Sequence, residues 1–237
     1  ALLHALAQEV VATEDELRHA LASANASLDA FTRVTQTSGS LIQSWLDGQP
    51  LVEYAHCPVD DVIDLRRGSQ FFYHAHRSRG NEHGHVHLFW HATASGRRRY
   101  VGGLSRRWAK TAPTHLIAIA LDDRGLPVSL FTVNRWVTDG HWFDAATTLG
   151  LVDRFEMKGV PGHEASCAWV THFVRMYRPV IENLLHRRDQ RIERHGGKGR
   201  AMGDQLLEEL SLLRIDWARD MDALQLEVAR RAGSRAH

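Results

Sequence analysis

The chain has 237 residues, enough to bury a sizeable core, and 43% hydrophobic with 24% charged residues is the make-up of a folded globular protein, not a disordered or fibrous one. Twenty-nine Lys and Arg against 28 Asp and Glu leave a formal charge of +1, which excludes general attraction to a nucleic-acid backbone as the organising theme. Two cysteines, Cys57 and Cys167, make no disulfide framework and fit a cytoplasmic protein, and no apolar run reaches membrane-spanning length.

Residues 1–47 are rich in Ala, Leu, Glu and Gln, with Leu2, Leu6 and Val10, then Leu17 and Leu21, at helical spacing. No signal peptide is visible, although a first residue of Ala leaves a removed leader open. Thr13 and Glu16 form a capping-box pair that predicts a helix starting near residue 14. A further helical pattern from Leu28 through Phe31 and Val34 to Trp45 and Leu46 is expected to end at Gly48 and Pro50. Residues 50–68 read as an irregular loop with the acidic cluster Asp60, Asp61 and Asp64. In it, His56-Cys57 offers an additional ligand or is only loop.

The next stretch, Tyr73 to His91, holds six of the sixteen histidines. Side chains alternate across an extended strand, so His74 and His76 share one face, as do His83, His85 and His87. The opposite faces read Phe71, Tyr73, Ala75 and Val86, Leu88, Trp90, the apolar side a strand needs for core packing. Polar residues 77–82, with Gly80-Asn81, predict the turn of a hairpin. A register setting His74 opposite His85 and His76 opposite His83 would bring the imidazoles together, with cross-strand Cβ atoms roughly 4.5–5.5 Å apart. A slip of one residue would scatter them to opposite sides.

Residues 94–111 form a Gly- and Arg-rich stretch with Arg97, Arg98, Arg99, Arg106, Arg107 and Lys110, read as a solvated loop or as a lid for an anionic substrate. His115–Leu121 and Val128–Val133, joined by Asp122-Asp123-Arg124-Gly125, predict a second hairpin. Just past it, Arg135 is placed to hold a carboxylate or to staple loop to helix. His141–Phe155 and Ala165–Arg194 read as helices, the second kinked or restarted at Pro179, with Arg187, Arg188, Arg191 and Arg194 on a solvated face. Residues 195–203 have the composition of a flexible linker, and 204–231 the pattern of one amphipathic helix able to pack on its own chain, a second copy or another protein.

The expected fold is therefore α+β, an antiparallel sheet of at least four strands in two hairpins flanked by N-terminal and C-terminal helices. It divides into a metal-binding domain over 1–194, a linker over 195–203 and a C-terminal helix over 204–237. Tyr73-His74-Ala75-His76, the run Glu82 to Phe89, the run Thr114 to Ile119 and the run Leu130 to Thr138 together resemble the signatures of a bacterial family of unknown function, over roughly residues 50–190. That resemblance implies no activity. A weaker, partial likeness to the cupin barrel motif would use His74, His76 and Glu82. Here the His76-to-Glu82 spacing is long by a residue or so, no second cupin motif follows, and His83, His85 and His87 exceed the pattern.

Imidazole binds zinc, iron, copper and nickel, so the histidines predict a transition-metal site drawn from His74, His76, His83, His85 and His87. The leading expectation is a non-haem iron or copper oxidoreductase acting on a small molecule. In it Glu82 completes a two-histidine, one-carboxylate iron site, and Tyr73 or Arg135 orients the substrate. An all-histidine set favours copper or zinc instead, zinc giving a hydrolase. The alternative is a non-catalytic metal carrier or sensor, marked by a closed coordination shell. No nucleic-acid or membrane partner is expected, and the C-terminal helix offers a homodimer contact.

Overall fold

The computed structural model describes residues 2, 13–76, 80–91 and 113–234. The basic stretch with its lid reading, the first predicted helix beyond Leu2, and residues 77–79 of the hairpin turn lie outside the described residues.

Helix α1 (Glu14–Ser38) begins at the predicted capping box: the Glu16 amide donates to Thr13 Oγ1 at 3.2 Å, and the Thr13 amide donates to Glu16 Oε2 at 2.6 Å. Leu17, Ala20, Ala24, Ser27, Ala30 and Val34 form its buried stripe, and five of those six are small or β-branched, which lets it lie close along α5 (Glu164–Met176). The helical pattern expected to run unbroken through 28–46 is cut at Gly39, whose φ of 83° terminates α1; Ser40 then caps α2 (Leu41–Leu46).

Six antiparallel strands follow in chain order across one sheet: β1 (Cys57–Asp64), β2 (Ser69–His74), β3 (Gly84–Trp90), β4 (Thr114–Leu121), β5 (Pro127–Val133) and β6 (Glu209–Arg214). The two predicted hairpins are β2–β3 and β4–β5, and the α+β class stands. Both edge strands correct the sequence reading. β1 occupies what reads as an irregular acidic loop; as an edge strand it leaves Asp60 in water, while the buried Asp64 accepts from the Arg66, Arg67 and Lys158 amides, and its register breaks between Cys57 and Val62. β6 lies inside the segment expected to be one helix, so that only α8 (Trp217–Gly233) is helical there, capped by Asp216 accepting from the Arg219 amide. Glu209-Leu-Ser-Leu-Leu-Arg214 fits either period, and pairing with β5 decides it.

Past β5 come α3 (Arg135–Thr138), α4 (Ala145–Val152), α5, α6 (Arg178–Arg194) and α7 (Lys198–Ala201). Pro179 sits in the first turn of α6, where its missing N–H costs nothing, so the helix restarts as expected. The Gly-rich segment 195–203 is not a free linker: α7 lies in it, and the fully buried Asn134 amide donates to Ala201 O at 2.7 Å and Leu207 O at 2.8 Å. Helix α8, offered above as a dimer contact, packs on α1 of its own chain, with Phe31 edge-on to Trp217 at 5.2 Å and Tyr177 Oη donating to Asp220 Oδ2 at 2.9 Å. Among the described residues no helix is long and apolar enough to cross a membrane.

The main core fills one side of the sheet. Phe71, Tyr73, Val86, Leu88, Trp90, Ile117, Ile119 and Leu130 meet Trp45, Trp169, Phe173, Val180 and Leu184 from the helices. The alternation of β2 and β3 therefore hands the opposite side of the sheet to the histidines.

Candidate metal centre

The β2–β3 ladder pairs Tyr73 with Val86, His74 with His85 and Phe72 with His87, the register that gathers the imidazoles. On the far side of β3, His85 lies opposite Ala120 and His87 opposite Ala118, and these small residues leave room that Phe131 fills from β5. Phe131 stands edge-on to His85 at 5.2 Å, and Phe72 tilts against His87 at 5.4 Å, so the rings are walled by aromatics. His85 and His87 are buried; His74 is half-buried and gives the cluster its opening.

Three ring nitrogens converge. His74 Nε2 is 2.8 Å from His85 Nε2 and 3.0 Å from His87 Nε2, and one ligand atom from each of the three residues lies within 4.8 Å of the others. In a tetrahedral site with bonds of 2.0–2.1 Å, nitrogen ligands sit about 3.3 Å apart. Seating an ion thus asks His74 to part from each of its two neighbours by about 0.3–0.5 Å.

The other nitrogen of each buried ring is engaged. His85 Nδ1 meets Glu82 Oε1 at 2.6 Å, and because a carboxylate accepts, the proton sits on Nδ1 and Nε2 presents its lone pair to the centre. His87 Nδ1 lies 3.0 Å from His115 Nε2. Burial, then the Arg188 charge and His85, hold the His115 imidazole down at about 3, so it is neutral and shares a single proton with His87. With that proton on His87 Nδ1, the His87 lone pair also points at the centre. His74 Nε2 cannot hydrogen-bond both neighbours with its one proton, whereas a cation satisfies all three lone pairs together.

The remaining predicted residues fall elsewhere. Glu82, expected as an iron ligand, is spent on His85 and acts behind it. His83 does not join the cluster: its Nδ1 meets Tyr73 Oη at 2.7 Å. Tyr73 itself is fully buried on the core side, stacked on Trp45, with burial raising its phenol far above the ordinary range; no substrate reaches it there. Gly84 makes this possible, since a Cβ at that position would lie 2.2 Å from Tyr73 Oη. Arg135 is exposed at the start of α3, and among the described residues no hydrogen bond or ion pair links its side chain to the three histidines. His76 lies beside the cluster, its ring centroid 4.8 Å from His74 and 5.2 Å from His85. His56 pairs with Asp61 at 2.8 Å, lies flat on Phe72 and meets His74 only edge-on at 6.2 Å, so it serves as packing and not as a ligand.

His115 is the residue sequence reasoning missed. The alternation of Ala118 and Ala120 puts Leu116, not His115, on the histidine face. A bulge between Leu88 and Phe89 skips Leu116 and sets His115 opposite Phe89. A single sequence carries no signal for that bulge.

An open groove of about 970 Å³ lies at the hairpin end beside the cluster, lined by His76, Glu82 and His83 together with Glu53, Asn81 and Asp123. The cupin likeness finds no support: the six strands form one sheet in sequential order, and Glu82 does not stand with His74 as a ligand. Comparison with curated proteins and with solved structures finds no match. A family model does match, over residues 21–215, wider than the motif-bearing stretch on both sides and including β6. The chain therefore belongs to the family described as a domain of unknown function, DUF6969.

Proposed function

We propose that the domain is a metal-dependent enzyme acting on a small molecule, with one ion held by His74, His85 and His87. The observation that carries this reading is the convergence of three Nε2 atoms whose rings are oriented from behind by Glu82 and His115. Three imidazoles with a carboxylate behind one of them suit zinc, and a zinc ion so held would supply Lewis acidity and an activated water for hydrolysis. The all-imidazole donor set also suits copper, which keeps an oxidoreductase as the second reading; the iron version loses its carboxylate to His85. Glu82 and His115 fix the rings, Phe72, Phe89 and Phe131 exclude water behind them, and the groove at His76 admits the substrate. Both cysteines are buried free thiols, in keeping with a cytoplasmic setting.

Elemental analysis of protein purified without added metal is expected to find zinc or copper at close to one ion per chain, lost in His74→Ala and in His85→Ala while circular dichroism stays native. Retention of the metal by both variants overturns the ligand set. Ester and phosphoester hydrolysis against oxygen consumption then divides the zinc reading from the copper one.

A further inference from the structure

His76 stands apart from the other histidines of the hairpin. His74, His83, His85 and His87 each have a ring nitrogen in a hydrogen bond, whereas His76 makes none among the described residues. Its ring instead lies flat on Tyr54, centroids 4.8 Å apart and planes 17° from parallel. Tyr54 is 66% exposed, has a φ of 64°, and is tied to the end of β2 by its amide donating to Ala75 O at 3.1 Å. An exposed tyrosine in that backbone region, with no core contact to justify it, is spent on holding one imidazole.

His76 has ligand spacing to two of the three rings, and it reaches the third only by turning. Four imidazoles sharing one ion at 2.0–2.1 Å hold their ring centroids about 5 Å apart. The three converging rings show 4.5, 5.0 and 4.8 Å; His76, stacked on Tyr54, shows 4.8 Å to His74 and 5.2 Å to His85 but makes no ring contact with His87, and its nitrogens stand outside the converging group. His76 follows β2 by two residues, outside the ladder, so it can turn without disturbing the pairing of His74 with His85. It also lines the groove, alone among the described histidines whose rings contact both His74 and His85.

We propose that His76 is an exchangeable fourth ligand: it leaves Tyr54 to close the coordination shell of the loaded site and yields that position to a substrate arriving through the groove. The device rests on the three-imidazole centre proposed above. It gives a resting site that is closed and a working site that is open, one metal–nitrogen bond breaking as one bond to the substrate forms.

The test uses the full chain loaded with zinc. Competition against a chromophoric chelator is expected to show His76→Ala binding zinc more weakly by about 100-fold or more, beyond what losing an outer partner costs. Nitrogen NMR of labelled histidine should show one fewer metal-shifted ring in that variant. Tyr54→Ala should bind zinc about two- to tenfold more tightly, the worth of one aromatic pair no longer competing. Wild-type affinity and an unchanged number of shifted rings in His76→Ala overturn the fourth ligand, and unchanged affinity in Tyr54→Ala overturns the latch. If His74→Ala binds zinc as the wild type does, the three-imidazole centre fails as well, and the two failures are told apart.

Discussion

Glu82→Gln separates a residue behind a ligand from a ligand. The side chain is buried, 5% exposed, and its Oε1 lies 2.6 Å from Nδ1 of His85, which is 2% exposed. Glutamine keeps the shape and can still accept from Nδ1–H, but the bond is no longer charge-assisted. A hydrogen bond to a charged group is worth about 1.5–3 kcal/mol and a neutral one about 1, so the imidazole loses roughly 1–2 kcal/mol of support when it must donate electron density to an ion. That corresponds to about 5- to 30-fold in affinity, overlapping the lower part of the roughly 10- to 100-fold range for loss of an outer partner. Zinc competition against a chelator measures it, with thermal unfolding as the control for folding. Wild-type affinity refutes the orienting role. Loss of binding as complete as in His74→Ala refutes it from the other side, because Glu82 would then be a ligand.

Three further outcomes follow from other parts of the chain. Gly84→Ala forces a Cβ to within 2.6 Å of Tyr73 Cζ and 2.7 Å of the His74 carbonyl, so urea unfolding should show a loss of about 3 kcal/mol with weakened zinc binding; an unchanged midpoint refutes the close approach. Glu156 is held down from its ordinary 4.5 to about 2 by Lys158, then Arg67, with Arg175 adding to them. A depressed carboxylate stabilises the fold above its unfolded value and loses that contribution as pH falls through the folded one. Between pH 5 and 2 the wild type should therefore lose about 1–2 kcal/mol more than Glu156→Gln, after discounting for solvent screening, and parallel curves would contradict this. Asn134→Ala removes one of two donors from each of the carbonyls of Ala201 and Leu207, which keep the Asp204 amide and Trp136 Nε1, and removes the cap of α3; it should cost about 1–3 kcal/mol and speed proteolysis within 195–208, which an unaltered cleavage pattern would disprove.

The parts of this molecule that were legible in its sequence are those fixed by local periodicity. Alternating histidines against Phe71, Tyr73, Val86 and Leu88 set the side of the sheet they occupy, and Thr13 with Glu16 set where α1 begins. What escaped was decided by partners distant in sequence. β1 carries Asp60 because it is an edge and Asp64 because amides as distant as that of Lys158 meet it, and β6 is a strand only because β5 offers it a ladder. His115 reaches His87 through a bulge, and His83 is drawn to Tyr73 because Gly84 lets the phenol pass. The segment 195–203 looked free from its glycines, but Asn134, more than sixty residues earlier, pins the chain at Ala201 and Leu207.

All three converging imidazoles come from a single hairpin, within fourteen residues of chain. Capturing an ion therefore closes a short loop whose entropy cost is small, and does so without waiting for the late return of β6. During synthesis the nascent hairpin can gather its cation before the C-terminal third has emerged. On the proposed three-imidazole centre, metal supply would be a condition on maturation of the chain as much as on its chemistry.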